Sequence, residues 1–153
     1  DNGALVPFMR PSELSAENVS LPKVLEYTIE KIEKLRNVDL VVVVEENYPF
    51  RPKGLIAKLI NSIIEGGYDT VCASIIEQRS IWLDSQDKIQ AIGDSKMAPR
   101  TLKPEKIHIN LFGLGAVTYV DNIRKNSILT NRVGLSPVPS YPYSFQINKK
   151  DQL

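Results

Sequence analysis

Leu40-Val41-Val42-Val43-Val44 is the longest uninterrupted apolar run in the chain, and no other feature constrains the fold as strongly. Successive β-branched side chains lose rotamer freedom in a helix and pack well on a pleated surface. A run without polar alternation fits a strand buried on both faces. It gives way to Glu45-Glu46-Asn47-Tyr48, and Pro52 then predicts a helix with Leu55, Ile56, Leu59, Ile60, Ile63 and Ile64 on its apolar side. Gly66-Gly67 ends that helix, and Tyr68–Ile76 predicts another strand. Strand, polar loop, helix and strand make a βαβ unit, so the expected class is α/β with a mostly parallel sheet.

The same run is far too short to cross a membrane. Nineteen Lys and Arg against eighteen Asp and Glu leave +1, which provides no field for nucleic acid or an anionic membrane surface. A chain of 153 residues can bury a core without staples. The single cysteine, Cys72, excludes an internal disulfide framework and a multi-cysteine zinc site, and the single histidine, His108, excludes a His-rich one. Asp1–Phe8 lacks the basic and apolar regions of a signal peptide, so the expected location is the cytoplasm. Both ends read as cuts through a larger domain, with residues 1–153 forming one partial domain.

Around the central unit, Pro11–Ser15 predicts a short helical turn. Ser20 predicts a helix N-terminus ahead of Leu21, Val24, Leu25, Thr28, Ile29, Ile32 and Leu35. Ser80–Asp84 and Lys88–Ile92 flank a hairpin turn, and Ile107–Asn110 and Arg132–Val138 read as strands.

Ligands collect where strands of open α/β sheets end, which directs attention to Glu45–Arg51. Arg51, next to the expected start of the Pro52 helix, suits a carboxylate or phosphate; the plainer reading is a solvated loop cation. Arg10 sits in a proline-flanked turn, either as a held guanidinium for phosphate or as an ordinary surface residue. Gly113-Leu114-Gly115 matches no dinucleotide or P-loop pattern and marks a bend or a close backbone approach. His108 reads as a strand residue, Cys72 as inert packing, and Asp84, Asp87 and Asp94 as solvated loop acids ahead of a metal site.

Val6-Pro7-Phe8-Met9-Arg10-Pro11-Ser12-Glu13-Leu14-Ser15, with Ser20 beyond it, resembles the VPFxRPxxLA…S segment of the cytidylyltransferase family, which includes acylneuraminate synthetases and 3-deoxy-manno-octulosonate cytidylyltransferases. Val41–Arg51 is similar to that family's LQPTSPLR element, Gly115–Val120 to its NGAxYxx strand, and Phe145–Asp151 to its IDIDxxxD motif. The similarity runs in order through nearly the whole chain. It implies a Rossmann-like nucleotidyltransferase domain lacking its first βα unit. It also implies Mg²⁺, CTP and a sugar as substrates, and the homodimer that members often form. In such enzymes a sugar hydroxyl attacks the α-phosphate and pyrophosphate leaves, with cationic groups stabilising the phosphate charge.

Carried over by position, the resemblance implies nucleotide binding by Arg10 and Ser20, and sugar binding by Glu45, Asn47, Tyr48 and Arg51. The metal would fall to Gln146, Asn148 and Asp151. The chain departs from the family at several of these places. The family's glutamine falls at Glu45, where an acid repels a sugar carboxylate, and its Thr-Ser pair at Asn47-Tyr48. The motif asparagine is Leu114, and the metal-binding aspartates are the neutral Gln146 and Asn148. Two expectations therefore stand: a divergent sugar nucleotidyltransferase serving surface-polysaccharide synthesis, active as an intact chain, or a degenerate relative that binds or assembles without catalysing. A nucleotidyltransferase for another base is a third.

Overall fold

The structure, a computed structural model, describes residues 3, 5–16, 18–85, 88–92 and 106–147. A 3-10 turn at Ser12–Ser15 leads to α1 (Leu21–Glu33), β1 (Leu40–Val43), α2 (Leu55–Gly66) and β2 (Thr70–Glu77). The hairpin β3 (Ile81–Ser85) and β4 (Lys88–Ile92) follows, then β5 (Ile107–Asn110), β6 (Ala116–Tyr119), α3 (Val120–Arg124) and β7 (Val133–Pro137). Among the described residues no helix is long and apolar enough to cross a membrane.

The class is α/β, but the sheet is mixed rather than mostly parallel. β6 pairs antiparallel with both β1 and β2, β5 pairs antiparallel with β2, and only β7 runs parallel to β2. β1 and β2 therefore point the same way, as the βαβ reading expects, yet β6 is inserted between them. A valine-rich run reports that a strand is apolar on its faces; it carries no information about which strand forms the ladder beside it. β1 accordingly lies at the sheet edge, with Val42 37% and Val44 49% exposed.

Alternation along β2 sorts the two faces of the sheet. Val71, Ala73 and Ile75 pack with Val117, Leu114 and the buried α2 residues Leu55, Leu59 and Ile63. Ile29 of α1 packs with Val120, Ile123 and Ile128 in a second cluster that also takes Val41. α2 starts at Leu55 rather than Pro52, because Pro52–Leu55 closes a turn and Gly54 is left-handed (φ 78°). It stops at a left-handed Gly67 (φ 63°), as the glycine pair implies. The run after Gly115 divides into β6 and the short α3, a helix that the alternation of the run does not announce.

β5 and β6 lie end to end along one edge of β2, pairing at Ser74–Glu77 and Thr70–Cys72 respectively. Between them Phe112–Leu114 makes a 3-10 turn, while Leu111 N–H donates to Ala73 O and Ala73 N–H to Gly115 O, both at 2.8 Å. The glycine stretch is thus a close backbone approach, and the turn is thrown out toward the end of β1.

Candidate functional site

The segment leaving β1 is locked to that turn. Glu45 N–H donates to Gly113 O at 2.8 Å. Arg51 Nε–H donates to Leu114 O at 2.7 Å across 63 residues of sequence, and its NH2 group donates to Glu45 O at 3.3 Å. Charge-assisted bonds of this kind to partly buried carbonyls are among the stronger ones in proteins. Arg51 is neither a solvated loop cation nor a side chain wholly free for a ligand. It fastens the β1 loop to the β5–β6 turn and keeps the rest of its five N–H donors.

Gly113 is the floor of this arrangement. A Cβ there would fall 2.8 Å from Tyr48 Cε2 and closer still to the Glu45 carboxylate. Tyr48 is 8% exposed, and its phenol is pushed up from its usual value, first by burial and then by the negative charge of Glu45. The C-terminal segment closes over the loop: Ile147 N–H donates to Asn47 O at 2.8 Å, and the Phe50 and Phe145 rings lie 6.2 Å apart at 50°. Gln146 is thereby brought beside the Glu45–Arg51 loop, uniting two groups of residues that the sequence places about a hundred positions apart. Asn47 Oδ1 is buried and has no hydrogen-bond partner among the described residues.

Arg10 and Ser20 sit together on the N-terminal segment. Arg10 is exposed and donates from Nε to Ser15 Oγ at 3.0 Å, and Ser15 donates to Pro11 O at 3.1 Å. Ser20 occupies the N-cap of α1, its carbonyl accepting from Lys23 N–H, while its hydroxyl makes no cap bond. Phe8 meets Tyr27 edge-on at 5.9 Å and pins this segment to α1. Among the described residues no hydrogen bond joins Arg10 or Ser20 to the Glu45–Arg51 loop. A largely apolar groove of 810 Å³ runs between residues 5–8, α1 and the start of β1, and none of the predicted site residues lines it.

Of the predicted metal residues only Gln146 is described, because Asn148 and Asp151 lie outside the described residues, as do Asp87 and Asp94. Asp84 is an exposed residue of β3 paired across to Ile89, which agrees with a solvated acid. Among the described residues no group of three His, Cys, Asp or Glu side chains converges. Gln146 offers a neutral amide oxygen, a weaker ligand for Mg²⁺ than a carboxylate.

Sequence reasoning missed a polar pair on the sheet. Ser74 Oγ and His108 Nδ1 lie 3.1 Å apart, and Asn110 reaches Cys72. The antiparallel register of β2 and β5 makes these contacts, and no local spacing could disclose partners 34 residues apart. Ser74 and Cys72 are fully buried. Burial pushes the Cys72 thiol up to about 11, against a smaller lowering by Asn110. At neutral pH it is a poor nucleophile. We expect 5,5′-dithiobis(2-nitrobenzoate) to leave the native thiol unmodified over a time in which the urea-unfolded chain reacts fully; equal rates would contradict its burial.

Comparison with known proteins finds no family model that matches this chain and no curated protein that matches it.

Proposed function

We propose that the chain is the larger part of a divergent sugar nucleotidyltransferase, which transfers a cytidylyl group from CTP to a sugar hydroxyl and releases pyrophosphate. The observation that carries this reading is the convergence at the end of β1. Glu45–Arg51 and Phe145–Ile147, which belong to two of the stretches that resemble cytidylyltransferase motifs, are bonded there to each other and to the Gly113-Leu114 turn just ahead of the third, Gly115–Val120. Ligand sites of open α/β sheets form at such strand ends. In this reading Arg51 and the Glu45–Tyr48 loop face the sugar, and Arg10 and Ser20 face the nucleotide. The reading includes a cytoplasmic location, a homodimer, and a surface polysaccharide as the destination of the activated sugar.

The exposed edge of β1 supports the further element of the reading, a missing first βα unit. Asp39 O and Glu45 N–H bond inward to Val120 and Gly113. Alternation then turns the main-chain groups of Leu40, Val42 and Val44 outward, where among the described residues no strand pairs with them. Neither Pro nor Lys interrupts this edge, although natural edge strands commonly carry such protection. A strand laid along β1, with its helix over the 810 Å³ groove, would cover both.

The degenerate, non-catalytic reading is favoured by the departures at Glu45, Leu114, Gln146 and Asn148, above all the neutral Gln146 and Asn148 at the expected metal positions. Pyrophosphate release from CTP with Mg²⁺ and a panel of sugars tests the two. Release that depends on a sugar is the expected result for the chain extended by its first βα unit. Gln146→Asp combined with Asn148→Asp is expected to raise Mg²⁺-dependent release about tenfold, by adding charged oxygen ligands. No release from the extended chain, with or without the paired substitution, would leave the binding-module reading in its place.

A further inference from the structure

The β3–β4 hairpin stands apart from the main sheet. It is a sheet of two strands, and among the described residues no third strand joins it. Hairpins of this kind are marginally stable in water unless a further strand or a helix covers them. Yet Trp82 is 60% and Ile89 63% exposed, and Leu83 and Ile92 are exposed as well. Ser85 pairs with Lys88 at the closed end, where the short separation leaves only a mutually hydrogen-bonded pair. Alternation then makes Leu83–Gln90 and Ile81–Ile92 hydrogen-bonded pairs too, and turns the main-chain groups of Ile89 and Ala91 outward along the free edge of β4.

That edge matches itself. Laid antiparallel on a second copy about Gln90, it sets Ile89 opposite Ala91 of the second copy, and the reverse, with the N–H and C=O of each residue bonded. Lys88 then falls opposite Ile92, and no like charges meet. The free edges of β3 and β1 do not match themselves in this way. On β3 the outward residues set Trp82 against Asp84, and on β1 a pairing about Val42 sets Asp39 against Glu45. Across the joined β4 strands the small Ala91 lies between Trp82 and Ile89 of the second copy, so the indole can lie over it and cover both exposed side chains. Resting on the homodimer included in the reading above, and on none of its chemistry, we propose that two copies associate through β4. The two hairpins then form one four-stranded sheet about a two-fold axis at Gln90.

Sedimentation and disulfide trapping test this on the chain itself. The unaltered chain is expected to sediment as a dimer, and the emission of Trp82, the single tryptophan, to move to the blue as concentration rises. Gln90→Cys places its thiol on the axis in a non-hydrogen-bonded pair, with Cα atoms about 4.5 Å apart, within disulfide range. Leu83→Cys shares that face but lies one strand farther out in each copy, so its Cα atoms stand three strand spacings apart, about 14 Å. In a glutathione redox buffer Gln90→Cys is expected to form at least ten times more linked dimer than Leu83→Cys. Cys72 is buried and stays reduced in both. A chain that stays monomeric at every concentration would remove this surface and the homodimer, and leave nucleotidyl transfer to be judged by pyrophosphate release. A dimer in which Gln90→Cys is trapped no better than Leu83→Cys would overturn the surface alone. Absence of pyrophosphate release, with trapping at Gln90, would remove the transfer reading and leave the dimer.

Discussion

Arg51→Ala is expected to lower the unfolding free energy by about 2–3 kcal/mol, the cost of removing a charged donor from a partly buried carbonyl. The Leu114 carbonyl, on a fully buried residue, loses its 2.7 Å bond, and Glu45 O loses a second. The loop and the turn, 63 residues apart in sequence, are then joined only through the Glu45 N–H to Gly113 O bond among the hydrogen bonds of the described residues. For a chain of this size the change amounts to a fall of roughly 5–10 °C in Tm. Arg51→Lys is expected to recover less than half of it, because an ammonium on a flexible stem cannot reproduce the planar fork. Urea unfolding followed by far-ultraviolet circular dichroism checks both variants, with the midpoint moving and the slope constant. A loss of unfolding free energy below about 0.5 kcal/mol would show that the guanidinium bonds do not hold the loop in solution. In the transfer reaction the same variant should raise the KM for sugar and leave the affinity for CTP nearly unchanged; an effect on CTP alone would reverse the two sides of the cleft.

Gly113→Ala is expected to destabilise the turn that meets the β1 loop. The added Cβ meets two neighbours of different character. The Glu45 carboxylate ends a flexible, partly exposed side chain and can swing away at little cost. Tyr48 is fixed in the core, and its Cε2 lies only 2.8 Å from the new methyl group. Relieving that contact requires the ring or the turn to move, which costs about 1–3 kcal/mol, as overpacking does elsewhere. The variant should therefore fold with a lower urea midpoint and with the Glu45 carboxylate displaced. An unchanged midpoint would mean that the turn yields freely to the added methyl group.

Local pattern was enough to place most of the elements. The valine run, the helical spacing of Leu55 to Ile64, the glycine stop at Gly66-Gly67 and the hairpin about residues 85–88 all act within a few residues of themselves. Local pattern puts the start of α2 three residues too early. Pro52 closes a turn, and the left-handed Gly54 delays the first helical residue to Leu55. In the candidate site the sequence pointed to the Glu45–Arg51 loop, because a polar cluster after a buried strand is a local signal. It could not reveal that Arg51 donates to main-chain carbonyls, since those carbonyls belong to a turn more than sixty residues away.

By itself, the sequence determined the α/β class and the order of β1, α2 and β2, and it marked Gly113 and Gly115 as a bend or a close backbone approach. Side-chain periodicity and backbone freedom govern these features within one segment. Only the tertiary structure decided the neighbours: β6 between β1 and β2, Ser74 beside His108, and Gln146 beside the β1 loop. The physical reason is that apolar faces are satisfied by any strand or helix that covers them. Strand partners and cross-chain hydrogen bonds depend instead on which distant segments close together in one register.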